Sequence, residues 1–407
     1  MAAILYLVHS MPYPPNRGDK LRAYNILRYF SKNNDIYLGA FVDDPLDWPY
    51  TKKLQSYCVD TCFVEKPTKF SSISRILKAI ITNKPITNQL YYSGILEQWA
   101  LGVIKSGAVT HLFVNSYIMA PYLNNEAKDY LFKISDFVDF DSQKILQHGK
   151  RKGAIKNLLY KSEAKRLLKY EKNIASHCDL NLFVSNHEAS MFKKTTKKDV
   201  KKPVVCLQNG VDTSYFNPYL CYVSPYQGEN MRIVFTGRMD YFPNIEATIW
   251  FVKKVFPKIL FLFKNVEFYI VGNNPTQDVF SLASNNGVYV TGSVPDIRPY
   301  LAYADVAVAP MKIASGIQNK ILEAMAMNVS VIATQEAIVG FDAIEKALWI
   351  EKGVASWVSR CCYLLTEVQK QDVLKTCLAR ELAVNQYNWD SCLLPLQTAM
   401  DEMQLNV

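Results

Sequence analysis

The chain of 407 residues is short of several things, and each shortage removes a class of explanation. It has 9 cysteines, an odd number, and none stands at a metal or redox spacing: Cys58 and Cys62 are four apart, and Cys361 and Cys362 are adjacent. A disulfide framework, a zinc knuckle and a Cys-x-x-Cys dithiol are excluded on that count, and reduced thiols in a cytoplasmic protein are expected. No uninterrupted apolar run is long enough for a membrane span. The most apolar long window, Ile249 to Phe263, is broken by Lys253, Lys254 and Lys258. The apolar run from Ala2 to Val8 is too short for a signal h-region and reads as a first strand. No nucleic-acid-binding motif accompanies the basic charge, so nucleic acid is not expected as a partner. What remains, 49% hydrophobic and 20% charged residues, is the composition of a globular protein, and the length predicts two domains.

The net charge of +9 is unevenly spread. Lys144 to Lys202 holds 16 Lys and Arg against 5 Asp and Glu. This segment includes an amphipathic helix from about 154 to 176, with Ile155, Leu158, Leu159, Leu167, Leu168 and Ile174 on or near one stripe. Such a surplus has two readings: a packed helix with a solvated basic face, or attraction to an anionic membrane surface or a lipid-phosphate acceptor.

The most informative stretch is Ala304 to Thr334. It reads as a buried strand (Val306 to Ala309), a loop to Ser315, a helix from about Gly316 to Met327, and a second buried strand (Val329 to Ala333). Two apolar runs joined by a helix make a parallel crossover, and such units carry ligand loops at the carboxyl ends of their strands. The expected helix start offers free N–H groups and a positive dipole end, which suits phosphate. Glu323 follows Ser315 by 8 residues, roughly 12 Å of helix, and its two oxygens can accept hydroxyl hydrogen bonds.

The same grammar recurs along the chain. Strand Ala3 to Val8, a Pro-rich loop containing His9 and Gly18, a helix from Asp19 or Lys20, and strand Ile36 to Val42 open an α/β domain. Gly18 at the helix entrance permits close backbone approach by a ligand. Helices are expected over Ile73 to Ile81 and Leu90 to Ile104, with strands at His111 to Val114, Leu180 to Val184 and Val204 to Leu207. Lys133 to Asp141 is a strand ending in Asp139-Phe140-Asp141, an Asp-x-Asp spacing able to hold a divalent metal. A boundary falls between Tyr215 and Met231. After it the pattern returns with strand Arg232 to Phe235, loop Thr236 to Asn244, helix Ile245 to Phe256, strand Val266 to Val271 with Gly272, and strand Tyr289 to Thr291 with Gly292. The expected fold class is α/β, two Rossmann-like domains with parallel sheets and a ligand cleft between them.

Five stretches, Cys206 to Asp212, Phe235 to Arg238, Tyr269 to Gly272, Val290 to Asp296, and Gly316 through Glu323 to Ala326, resemble the GT-B-fold retaining glycosyltransferases of family 4. Pro12 to Lys20 and Asp139 to Ser142 resemble the bacterial exosortase and exopolysaccharide subgroup within it. The resemblance implies an N-terminal acceptor domain over residues 1–215, joined by a last helix at about 388–407, and a nucleotide-sugar domain over 216–387. It implies transfer of a sugar from a UDP- or GDP-linked donor to a glycan or polyprenyl-linked acceptor with retention, in a cytoplasmic protein peripheral to the membrane. No cofactor or metal is implied beyond the nucleotide-diphospho-sugar co-substrate. Glu323 matches the glutamate that accepts from ribose, Gly316 and Ile317 face phosphate and sugar, and Arg238 neutralises the diphosphate. Gly18 lies beside that diphosphate, Gly292 and Val294 lie near the base, and Gly237 and Gly272 shape the loops. Three positions depart from the family. Ser315 replaces the first of two glutamates. Pro243 replaces a lysine, for which Lys320 is the substitute. Asp139 stands near the site of a histidine, and either Asp139 or Asp141 takes a polar role toward the acceptor or is structural. These departures leave a catalytically impaired sugar-nucleotide-binding or scaffold protein as the alternative.

Overall fold

The computed structural model describes residues 2–66, 79, 81–82, 84–123, 131–149, 153–314, 316–366 and 370–404. The expected helix at Ile73 to Ile81 falls largely, and Ser315 wholly, outside the described residues. The chain forms two compact units, Met1–Leu207 and Gln208–Val407.

The first unit is built on a sheet ordered β3-β2-β1-β4-β5-β6-β7, with every paired strand parallel. Its strands are β1 Ala3–Val8, β2 Asp35–Val42, β3 Asp60–Glu65, β4 His111–Asn115, β5 Phe132–Val138, β6 Leu180–Phe183 and β7 Val204–Cys206. Ile4 to Val8 are all buried, as a strand covered on both faces requires. The helix after β1 runs Gly18–Phe30, and the expected helix from Leu90 is two, Ile86–Leu90 and Gly94–Lys105.

Arg22 and Asp136 are fully buried and form a two-pronged ion pair between that helix and β5, with N–O distances of 2.7 and 2.9 Å. Arg22 also donates to the Leu207 carbonyl at 2.7 Å, and Asn115 donates to Asp136 at 3.2 Å. Asp136 Oδ1 further accepts from the Val138 amide at 3.2 Å. That contact accompanies a register shift in β5 and a positive φ of 66° at Val138, a bulge that turns the chain as it leaves the sheet.

The long basic helix is Ala154–His177. Its apolar residues do not share one stripe. Leu167 and Ile174 are buried, whereas Leu158 is 70% and Leu159 65% exposed. Leu158 precedes Leu167 by nine residues, which at 3.6 residues per turn is half a turn away.

The second unit repeats the plan with a sheet ordered β10-β9-β8-β11-β12-β13, also parallel. Its strands are β8 Met231–Thr236, β9 Val266–Val271, β10 Val288–Gly292, β11 Val306–Ala309, β12 Ser330–Ala333 and β13 Trp349–Ile350. The helix after β8 begins at Phe242 rather than Ile245 and passes through a π turn, Phe251–Val255, before continuing as Phe256–Leu262. Pro257 has no N–H to donate to an ordinary helical carbonyl, which accounts for the widened turn there.

The division falls at Leu207/Gln208 and not near Tyr215. Gly210 lies so close to the start of the last helix, Trp389–Gln404, that a Cβ there would sit 2.8 Å from the Trp389 nitrogen. Val211 donates to the Tyr387 carbonyl at 2.7 Å. The segment up to Met231 is a cover for the sheet as well as a linker. Tyr226 packs on Tyr269 at 4.5 Å and donates to the Tyr300 carbonyl at 2.6 Å. Arg298 bonds Asp296 and sits 3.8 Å from the Tyr215 ring.

Replacing Arg22 with Ala leaves the Asp136 carboxylate buried without its cation. It is expected to cost about 3–5 kcal/mol in chemical denaturation, or to prevent soluble expression. Arg22→Met with Asp136→Leu, which removes both charges, is expected to recover a large part of that loss.

Candidate functional site

The loops at the carboxyl ends of β8, β9, β10 and β11 meet at three glycines and one lysine. Gly272, which ends β9, lies against the loop after β8. A Cβ at Gly272 would stand 1.7 Å from the Gly237 carbonyl oxygen, so no other residue fits. The Gly237 amide donates to Val271 at 3.0 Å, and the Gly272 amide to Gly292 at 3.2 Å. These contacts hold three strand-end loops in one row. Gly237, Gly272 and Gly292 all have positive φ, at 147°, 155° and 66°.

Lys320 reaches under this row from its helix. Its Nζ lies 4.4 Å from the Phe235 ring centroid and donates to Asn244 Oδ1 at 2.6 Å. Asn244 is buried, and its Nδ2 donates to the Arg238 carbonyl at 2.7 Å. One amide side chain thus couples the β8 loop to Lys320. The Arg238 guanidinium is itself held by Asp240 through bonds of 3.0 and 2.6 Å, both partners being about one-third exposed. Pro243, where a lysine was expected by resemblance, is buried in the first turn of the helix Phe242–Trp250.

Glu323 is on the same helix as Lys320, one turn on. Loss of solvent pushes its carboxyl up to about 7, against the opposing pull of Lys320. Loss of solvent also brings Lys320 down to about 7, partly offset by Glu323. A carboxylate and an ammonium poised near neutrality, and short of water, are the kind of groups a polar ligand relieves.

The helix itself is shorter than the sequence predicts. It spans Asn319–Ala326, and residues 316–318 lead into it in non-helical conformations. Gly316 has φ of 62°, and a Cβ on Gly340 would stand 2.2 Å from the Gly316 carbonyl oxygen. The close approach of Gly340 shapes the 316–318 turn, so the eight-residue offset from Ser315 to Glu323 is not a measure of helix. Ile317 is buried, and Val294 is half-buried beyond the end of β10. Asn244 and Gly340 were missed by sequence reasoning. Asn244 is one position beyond the expected lysine, and a buried asparagine has no periodic signature.

In the first unit, exposed Gly18 begins the helix Gly18–Phe30 after β1. Asp139 leaves the β5 bulge and pairs with Lys144. Asp141 starts the helix Asp141–Gly149; loss of solvent pushes it up to about 7, opposed by Lys144 and reinforced by Asp139 and Glu188. Glu171, fully buried on the long basic helix, accepts from the Ser142 amide at 3.1 Å and its hydroxyl at 2.6 Å. Burial pushes Glu171 up to about 8, against those hydrogen bonds. Glu188 accepts from the Phe140 amide at 2.7 Å. Among the described residues, no group of three or more His, Cys, Asp or Glu is arranged to hold a metal ion.

Residues 230–367 match the sequence model of the family "Glycosyl transferases group 1". An uncharacterized 44.6 kDa protein in the cps region of Klebsiella pneumoniae is 21% identical over 345 residues, 82% of this chain and 83% of that protein. Among solved structures, a glycosyltransferase from Rickettsia africae superposes with a TM-score of 0.67 at 14% identity, covering 100% of both chains. Sucrose-phosphate synthase from Thermosynechococcus elongatus gives 0.69 at 14% identity, again over 100% of both. Anabaena HepE, solved in complex with UDP-glucose, gives 0.65 at 12% identity over 99% of this chain and 100% of that one.

The raised carboxyl of Glu323 carries a testable sign. Its folded value of about 7 lies above the ordinary 4.5, so the folded state holds a proton that the unfolded state releases, and stability falls as pH rises from 4.5 through 7. Lys320 acts at the other limb, where stability falls as pH drops from 10.5 to 7. Glu323→Gln is expected to match the wild-type Tm near pH 4.5 and to exceed it above pH 7; a constant difference across that range would refute the assignment. Residues 230–367 thus match the glycosyl transferases group 1 model, and the strand order and superpositions show that the chain has the α/β GT-B fold.

Proposed function

We propose that this chain is a retaining glycosyltransferase that moves a sugar from a nucleotide-diphospho-sugar to a glycan or polyprenyl-linked acceptor, in bacterial exopolysaccharide or cell-surface glycan synthesis. The observation that carries the reading is the row of strand-end glycine loops beside Lys320, with Glu323 one turn further along the same helix, in the stretch that matches the group 1 model. Gly292 has open space where a side chain would stand, which lets a ligand approach its backbone, while Gly237 and Gly272 let the loops themselves pack closely. Glu323, when ionised, accepts two hydroxyl hydrogen bonds from ribose, and Val294 lies toward the base. Lys320, fixed by Asn244, supplies a cation toward the diphosphate in place of the lysine lost at Pro243. Gly316 and Ile317 offer backbone to phosphate and sugar, as does Ser315 with its hydroxyl. Arg238 completes the set. Its exposed pairing with Asp240 is worth little in water, so exchange for a diphosphate oxygen is cheap.

Transfer then needs no metal in this proposal. The bond from the anomeric carbon to the diphosphate breaks, and Arg238 and Lys320 stabilise the charge left on it. The acceptor oxygen bonds to the same face of the sugar, and its proton passes to the departing diphosphate. In the first unit, Gly18 offers backbone at the loop end of β1, and Asp139 is the polar group assigned to the acceptor. A uridine donor is the first to test, since HepE was solved with UDP and with UDP-glucose. The cps-region relative supports a role in surface glycan synthesis.

A second reading, a sugar-nucleotide-binding protein that has lost catalysis, is motivated by Ser315 and Pro243. The two separate on turnover. A panel of UDP and GDP sugars is expected to give donor hydrolysis or transfer to polyprenyl-diphosphate glycans. Glu323→Ala should weaken donor binding by about 10- to 100-fold, and Arg238→Ala should lower kcat by about 100-fold or more. Nucleotide-sugar binding with no turnover on any acceptor would favour the second reading.

The basic surplus of residues 144–202 supports peripheral attachment at the inner face of the cytoplasmic membrane. No helix among the described residues is long and apolar enough to cross a membrane. The full chain is expected to sediment with anionic vesicles at low salt and to be released as salt rises; equal binding to neutral vesicles would rule this attraction out.

A further inference from the structure

The densest charge in the sequence lies within the basic region 144–202, apart from Gly18 and Asp139 in the same unit. Between positions 193 and 202 stand six lysines and a single acid, Asp199. They fall where the helix Asn186–Thr196 ends and β7 begins, at the amino end of that strand. Ligand loops such as those bearing Gly18 and Asp139 leave the carboxyl ends of their strands, so this is the opposite edge of the sheet. Here the structure has a cavity of about 460 Å³. Lys193, Lys197 and Lys202 line it, together with Val200, Pro203 and Val204.

The charges are available. Asp199, the one acid of the run, pairs with Lys172 of the long basic helix at 2.7 Å, a cation from outside the run. Lys202 pairs with Asp179 at 2.9 Å, but its side chain is 46% exposed, a contact that water weakens and a better ligand can exchange. Neither Lys193 nor Lys197 has a carboxylate within 4.0 Å among the described residues. A helix carboxyl end carries about half a negative charge and is satisfied by one cation in its last turn. Six lysines exceed that need.

The lining also selects the ligand. It has no aromatic ring on which a base could stack and no arginine to clamp a planar carboxylate in two places. Ammonium groups are point donors suited to the oxygens of a phosphoryl group. The apolar residues Val200, Pro203 and Val204 accommodate a hydrocarbon continuation. We infer that this cavity binds a phosphate-bearing group, either free phosphate or the headgroup of an anionic lipid. Within its unit the site lies at the opposite edge of the sheet from Gly18 and Asp139, and it would localise the membrane attraction proposed above to one pocket.

The test uses the full chain, Lys193→Glu/Lys197→Glu, and the control Lys161→Glu/Lys165→Glu, which makes the same charge change elsewhere in the basic region. Two probes are applied: inorganic phosphate, followed by the backbone amide signals of residues 196–204, and vesicles of phosphatidylcholine with or without phosphatidic acid. Saturable amide shifts with phosphate, absent in the pocket variant and kept in the control, support a phosphate site. So does vesicle binding that falls about tenfold or more in the pocket variant and clearly less in the control, with the lipid headgroup as source. If neither probe binds, or if both variants lose binding equally, the pocket is overturned; the second result alone leaves a diffuse membrane attraction standing. Unchanged donor turnover in the pocket variant is expected, whereas its loss with an unaltered Tm would contradict the separation of the two sites.

Discussion

Every paired strand in both sheets runs parallel, and most of the molecule follows from that constraint. A parallel strand cannot be joined to its neighbour by a hairpin, so the chain must cross over between strands, in most cases through a helix that covers the sheet. The crossovers bury Leu5, Leu7, Ile233 and Phe235 almost completely. They also bring successive loops out at the same end of the sheet. A row of loops at the carboxyl ends of β8, β9 and β10 is therefore a product of topology, before any residue in it is chosen for chemistry.

What the residues add is proximity. The loops after β8 and β9 come together because Gly272 lacks a side chain, since a Cβ there would overlap the Gly237 backbone, and Gly237 leaves room for Asn244 and Lys320. Beneath them Asn244 joins the β8 loop to Lys320, which fixes the ammonium of a flexible side chain at the cost of hydration. Lys320 and Glu323 are both displaced toward neutrality by that loss of water. The arrangement is polar, half-buried and walled by backbone, which are the properties a nucleotide diphosphate and its sugar would complement.

The first unit handles polar burial differently. Arg22 and Asp136 satisfy one another inside the unit, and the same carboxylate holds the Val138 amide and so the bulge from which Asp139 departs. Glu171 bonds the first turn of the helix Asp141–Gly149 from within the long basic helix. Raised carboxyls at Asp141 and Glu171 follow from loss of solvent, reinforced by neighbouring negative groups. The charge on the outer side of the long helix is unrelated to this network and faces water.

The sequence by itself determined the α/β class, the doubled plan and most strands, because a strand buried on both faces is a short apolar run that needs no partner to be recognised. β9 and β11 stand at the predicted residues, Val266–Val271 and Val306–Ala309. Glu323 and the glycines were legible as candidates because their positions are tied to strand ends. Only the tertiary structure decided the rest. It started the key helix at Asn319, because Gly340 presses on Gly316 from 24 residues away in sequence. It divided the chain at Leu207/Gln208, because Gly210 and Val211 meet the last helix. It placed Glu171 in the stripe that the sequence reading reserved for apolar side chains, and turned Leu158 out of it. Contacts between residues far apart in the chain leave no periodic mark, so close approach, buried pairing and the ends of helices are set by packing that a linear pattern does not carry.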